Sequence, residues 1–225
     1  MIIRVLTALI LGTVIAAAPA AAQQKTLKVA TEGAFEPFNY TDPSGQVVGF
    51  DIDITNAVCA DAGIKCEWIR QDWDGLIPGM LAGKFDAISA SMSITDERKK
   101  RVAFTNKLYQ TAIRFVGTKG KLSDATPDGL AGKRVGAQRA TIAATYLQEK
   151  YPKSDIKLYD TQDALRLDLT AGRIDVLLAD EVATQRSFIA KPEGNGFAFF
   201  GPEIKIGDGI GVALQIGRAS CRERV

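Results

Sequence analysis

Phe85-Asp86-Ala87-Ile88-Ser89-Ala90-Ser91-Met92-Ser93-Ile94-Thr95-Asp96-Glu97-Arg98 is the stretch from which the fold of this chain is read. The apolar run Phe85 to Ile88 reads as a short buried strand. It gives way to small hydroxyl residues, and a charged helix start follows at Asp96-Glu97-Arg98. Open α/β sheets place their ligands where a strand ends beside a helix start. Ser91 and Ser93 can donate hydrogen bonds there, and Arg98 can grip a carboxylate with two parallel bonds. Taken by its spacing alone, the stretch favours an ordinary strand-loop-helix joint with an exposed arginine.

Its surroundings change the reading. Leu81-Ala82-Gly83-Lys84-Phe85-Asp86-Ala87-Ile88 is echoed by Thr170-Ala171-Gly172-Arg173-Ile174-Asp175-Val176-Leu177, 89 positions later, and the same offset carries Ser91 onto Asp180. Each copy holds a helix end, a glycine turn, a buried strand and a polar residue at the strand's end. Alternating helices and strands predict mostly parallel sheets with right-handed crossovers. Two such units facing each other would set Ser91 and Asp180 on opposite walls of one cleft.

The remaining elements fit that plan. Strands are expected at Thr26 to Ala30, Val47 to Phe50, Glu67 to Arg70, Ala112 to Val116, Lys133 to Ala137, Ile156 to Tyr159 and Ile210 to Gln215. One helix is expected to be capped by Asp51, to bury Ile54, Ala57, Val58 and Ala62, and to stop at Gly63. Others begin at Asp72-Trp73-Asp74-Gly75, Gln138-Arg139-Ala140-Thr141 and Thr161.

Arg4, an apolar run from Val5 to Ala18 and Ala20-Ala21-Ala22 have the order of a secretory signal, with cleavage expected after Ala22. Export is therefore expected. Ile216 to Val225 resembles the translation of a sequencing-adapter oligonucleotide, so the natural sequence is expected to end near Gln215 with the true C-terminus missing. The chain has 28 basic and 26 acidic residues; without Arg4, the three tail arginines and Glu223, 24 and 25 remain. Such a balance argues for neither a nucleic-acid nor a membrane partner. Cys59 and Cys66 remain as an even pair, and in an exported protein they read as a local disulfide. With no histidine in the chain and no second thiolate pair, a metal site is the weaker alternative.

Gly49-Phe50-Asp51-Ile52-Asp53, Trp73-Asp74-Gly75-Leu76-Ile77-Pro78, Ser91 to Arg98 and Leu169 to Asp175 resemble, in order and spacing, the family 3 solute-binding proteins of polar amino-acid ABC transporters. The likeness is nearest to the lysine/arginine/ornithine and opine-binding branch and spans about residues 26 to 214. It implies an α/β, two-lobe periplasmic binding protein fold of type II. Residues 23–110 would form the first part of lobe 1, residues 111–203 lobe 2, and residues 204–215 the return to lobe 1. Hinge crossings are expected near Tyr109 to Ile113 and Gly201 to Lys205.

The resemblance also implies roles. Arg98 would clamp a ligand α-carboxylate, helped by Thr141 at a helix N-terminus. Asp180 would accept the α-ammonium, with Ser91 and Ser93 completing the cradle and Ala90 and Ala137 in contact. Phe35 and Trp73 would sandwich the side chain, and Glu32 would meet a cationic group. Ala90 replaces a serine of some members, Phe35 a tyrosine, and Arg139-Ala140 a Gly-Ser pair. Arg139 would bring a cation to the pocket mouth, against cationic ligands or toward an opine's second carboxylate. The implied function is periplasmic capture of a polar amino acid, arginine, lysine or ornithine, or of an opine, by a monomer that needs no cofactor and serves an inner-membrane permease. A dehydratase of the same fold and a receptor sensor domain are the alternatives. The chain has no histidine and no nucleophile or metal constellation to support catalysis.

Overall fold

The computed structural model describes residues 25–217; the expected signal sequence and most of the adapter-like tail lie outside them. Strand β1 (Thr26–Thr31) leads into a small three-stranded sheet of β2 (Ala34–Phe35), β3 (Asn39–Thr41) and β4 (Val47–Val48). Helix α1 (Phe50–Asp61), β5 (Lys65–Arg70), a 3-10 turn over Trp73–Gly75, α2 (Leu76–Leu81) and β6 (Ala87–Ile88) follow. Short α3 (Asp96–Lys99) and β7 (Ala103–Phe104) complete the first pass. The chain then crosses to β8 (Ile113–Thr118) and builds β9 (Arg134–Gln138), α4 (Ile142–Lys150), β10 (Asp155–Tyr159), α5 (Gln162–Thr170) and β11 (Val176–Asp180). Helix α6 (Glu181–Thr184) and β12 (Phe197–Ile204) precede the second crossing, and β13 (Ala213–Leu214) rejoins the first sheet.

Two five-stranded sheets result, ordered β5-β1-β6-β13-β7 and β10-β9-β11-β8-β12. The echoed segments become β6 and β11, each third from the first edge of its sheet, and both turn glycines adopt positive φ, 74° at Gly83 and 68° at Gly172. β11 is buried on both faces, which is why Val176-Leu177-Leu178-Ala179 reads as an unbroken apolar run. The sheets are mixed rather than mostly parallel. β1, β5 and β6 run parallel, as do β9, β10 and β11, but β8, β12 and β13 pair antiparallel with their neighbours. β8 and β13, the strands that follow the two crossings, arrive from the other sheet. No crossover helix fixes their direction as it does within a βαβ unit.

Helix α1 departs from expectation. Gly49, not Asp51, precedes its first turn, and the buried stripe is Ile52, Thr55 and Cys59, with Asp51 itself buried. The helix begins two residues earlier than the capping pattern suggested, which turns Asp51 inward. Gly49 has φ 118°, and a Cβ there would come within 2.6 Å of the Phe38 carbonyl oxygen and 2.7 Å of that of Pro37. Two backbone carbonyls cannot give way as a side chain can. Gly49→Ala is therefore expected to cost about 2–4 kcal/mol, read as a lowered denaturant midpoint; an unchanged midpoint would show that the loop relaxes freely. Cys59 and Cys66 are bonded, joining the end of α1 to β5.

Candidate functional site

Between the two sheets lies a cavity with about 670 Å³ of space not filled by atoms, part of it open to solvent. From the first-sheet side it is lined by Glu32, Phe35, Trp73, Ala90, Ser91, Ser93 and Arg98; from the second by Thr141 and Asp180. Ala137 is not at the cavity. It is fully buried in β9, packed in the second-sheet core with Leu147 and Val176. Successive strand residues face opposite ways, and it is the next one, Gln138, that lines the cavity.

Arg98 follows Thr95, whose hydroxyl accepts the Arg98 amide and starts α3. Its guanidinium donates to the Ser93 carbonyl at 3.0 Å and to the Ala140 carbonyl at 3.2 Å, and lies 5.4 Å from the Trp73 ring centre. Among the described residues it forms no ion pair. Burial pulls it down to about 10. Asp180 ends β11 and caps α6, accepting the Ala183 amide at 2.8 Å. It too has no cationic partner within 4 Å among the described residues, and burial pushes its carboxyl up. A half-buried guanidinium and a half-buried carboxylate thus line the same cavity without neutralising each other. Uncompensated charges are costly in such a place, and a zwitterion would relieve both.

Ser91 has a left-handed backbone, φ 51°, uncommon for a residue with a side chain. Its amide and hydroxyl both bond Asp51 Oδ2, at 2.7 and 2.8 Å. The Ser91 hydroxyl is therefore committed to the protein, and the backbone carbonyl is what remains to offer a ligand. Asn39 donates to the same Asp51 oxygen at 3.0 Å, and the Tyr109 hydroxyl to Oδ1 at 2.8 Å. Burial raises the Asp51 carboxyl against the lowering pull of these bonds. Reading Asp51 as a helix cap missed this role; its place beside Ile52, on the stripe that continues through Thr55 and Cys59, is the signal that would have revealed it. Thr141 caps α4, its hydroxyl donating to the Gln138 carbonyl and accepting the Ala144 amide.

At the other end of the cavity, Glu32 accepts a 2.6 Å bond from Gln138. Burial, with Asp72 and Asp163 adding repulsion, pushes Glu32 up to about 7. Arg139, expected at the mouth, is not among the lining residues and pairs with Asp160 at 2.7 Å. Further contacts join the two sides: Trp73 Nε1 donates to the Ala140 carbonyl at 3.0 Å, and Lys191 lies 3.5 Å from Glu36. Among the described residues there is no cluster of metal-ligating side chains, and no helix is long and apolar enough to cross a membrane.

Residues 27–161 match the model of the bacterial extracellular solute-binding proteins, family 3. The chain belongs to that family. This solute-binding protein is 40% identical over 206 residues to the L-arginine-binding protein of Pseudomonas aeruginosa, covering 88% of this chain and 79% of the relative. It is also 40% identical to the lysine/arginine/ornithine-binding periplasmic protein of Escherichia coli, over 92% of this chain and 82% of that one. Its fold superposes on an ancestral arginine-binding protein bound to arginine with a TM-score of 0.83, at 31% identity and 89% coverage of both chains. The two-lobe fold follows from these likenesses, and the family is one of binding proteins rather than enzymes. Its members' extracytoplasmic setting agrees with the oxidised Cys59–Cys66 pair.

Proposed function

We propose that this protein captures a cationic α-amino acid of the arginine, lysine and ornithine class and presents it to the permease of an ABC importer. The observation that carries the reading is the pair of half-buried charges without ionic partners among the described residues, Arg98 and Asp180, lining one cavity. Arg98 takes the α-carboxylate as a bidentate clamp, and Asp180 takes the α-ammonium. Phe35 and Trp73 flank the aliphatic stem, and Ser93, Ala90 and Thr141 complete the wall around the backbone of the ligand. Glu32 receives the distal cation. An opine's second carboxylate finds no partner in Arg139, which is engaged outside the cavity.

The protein works as a monomer whose two lobes, residues 23–110 with 204–215 and residues 111–203, close by rotation about the two crossings. Its secretory leader is removed after Ala22. Isothermal calorimetry against arginine, lysine, ornithine, histidine, glutamine and octopine tests the reading. Tight binding confined to the cationic members supports it, and binding of glutamine or octopine alone would overturn it.

The Glu32 carboxyl sets a pH dependence. Its folded value of about 7 exceeds the ordinary 4.5, so it is largely protonated below 7 before a ligand binds. A cationic side chain favours the ionised form and lowers that value, so binding releases a proton. Affinity for arginine should therefore rise from pH 5 to 8 and then level, with proton release seen as a buffer-dependent enthalpy. A flat profile would remove Glu32 from the ligand's path.

A further inference from the structure

The distal end of the cavity holds a chain of amides whose orientations force one another. Gln138 Nε2 lies 2.6 Å from Glu32 Oε1 and 3.0 Å from the Asp160 carbonyl oxygen. A backbone carbonyl only accepts, so Gln138 must present its NH₂ to this pair. Its amide oxygen then needs a donor, which Gln162 supplies through Nε2 at 2.9 Å. That leaves the Gln162 oxygen as the free end of the chain, buried and without a hydrogen-bond partner among the described residues. Gln162 is 6% exposed and lines the cavity. Arg166, one turn further along α5, is not among the lining residues, and its own buried Nε and Nη2 do not reach that oxygen.

We infer that Gln162 is a specificity-determining residue, its amide oxygen accepting an N–H from the far end of the ligand's side chain while Gln138 holds it in that orientation. The inference rests on the amino-acid reading above and deepens it. Both N–H groups of Gln138 are engaged, so the acceptors left at this end of the cavity are Gln162 Oε1 and, when ionised, the carboxylate of Glu32. Glu32 reads charge and Gln162 reads a hydrogen-bond donor, two properties that a guanidinium combines. Sites built around an unpaired buried polar atom reject analogues that cannot pair with it more strongly than apolar pockets reject a shape.

Three ligands separate the two roles: arginine, its uncharged N–H-bearing analogue citrulline, and norvaline, which ends in a methyl group. Gln162→Met should weaken arginine and citrulline alike, by roughly tenfold or more (about 1.4 kcal/mol), and leave norvaline unchanged or tighter. Glu32→Gln should weaken arginine and spare citrulline. Norvaline affinity also reports that the Gln162 variant is folded and competent, and Gln162→Leu repeats the test with a different shape. Arginine and citrulline affinities unchanged in both Gln162 variants would overturn the inference while leaving the amino-acid reading intact. A wild-type protein that binds none of arginine, lysine and ornithine would remove that reading, and this inference with it.

Discussion

Arg98→Met and Asp180→Asn, made singly, are expected to weaken binding of the cognate amino acid by about 2–5 kcal/mol, roughly 30- to 5,000-fold. Each variant keeps the approximate shape of the side chain and removes its charge, leaving a ligand carboxylate or ammonium desolvated without a partner. Loss of stability is expected to stay small, limited in Arg98→Met to the hydrogen bonds its guanidinium gives the Ser93 and Ala140 carbonyls. Neither charge has an ionic partner among the described residues, and burial disfavours the charged form of both, so removing the charge relieves a cost in the protein alone. The Asp180→Asn side chain keeps an oxygen to accept the Ala183 amide, the bond that caps α6. Calorimetry and thermal melting of the same samples check both halves. Affinity within threefold of wild type in either variant would mean that the ligand's charged groups lie elsewhere, and a collapsed melting temperature would mean that the charge supports the fold.

The second large effect is expected at Asp51, which touches no expected ligand atom. Its carboxylate accepts four hydrogen bonds, from Asn39, from the amide and hydroxyl of Ser91, and from Tyr109. These come from the small sheet, the loop after β6 and the first crossing. Asp51→Ala strands the Ser91 amide and weakens the support of Asn39 and Tyr109, which still reach the Ser91 hydroxyl. A cost on the order of 3 kcal/mol follows from the buried donors left unpaired. Without that anchor, the Ser91 amide loses the bond that fixes its left-handed backbone, so binding should weaken about tenfold or more in the folded fraction. Urea titration measures the first effect and calorimetry well below the midpoint the second. A stable variant of normal affinity would show that Ser91 keeps its place by backbone forces alone.

Much of this architecture was legible in the sequence because it rests on local patterns. The buried run of β11, the turn glycines Gly83 and Gly172, and the caps Thr95, Thr141 and Thr161 all declare themselves within a few residues. The 89-residue echo already set Ser91 and Asp180 facing one cavity. What remained hidden depends on contacts between distant segments. Strand direction at β13 is decided by where the chain returns, not by its two residues. Asp51 looked like a helix cap because capping residues and buried carboxylates share a composition, and only the buried stripe of α1 separates them. Ala137 and Gln138 differ by one position along a strand, so one step of register moved the contact from core to cavity. Arg139 was placed at the mouth without its partner Asp160, 21 positions away, being visible.

All of these roles depend on one α-amino acid being held between Arg98 and Asp180 with its side chain toward Glu32. A crystal structure of the protein grown with arginine decides whether it is. The ligand carboxylate is expected within about 3 Å of the Arg98 guanidinium, the α-ammonium within about 3 Å of an Asp180 oxygen, and the ligand guanidinium beside Glu32 and Gln162. Density for arginine in the reverse orientation, or outside this cavity, would contradict it.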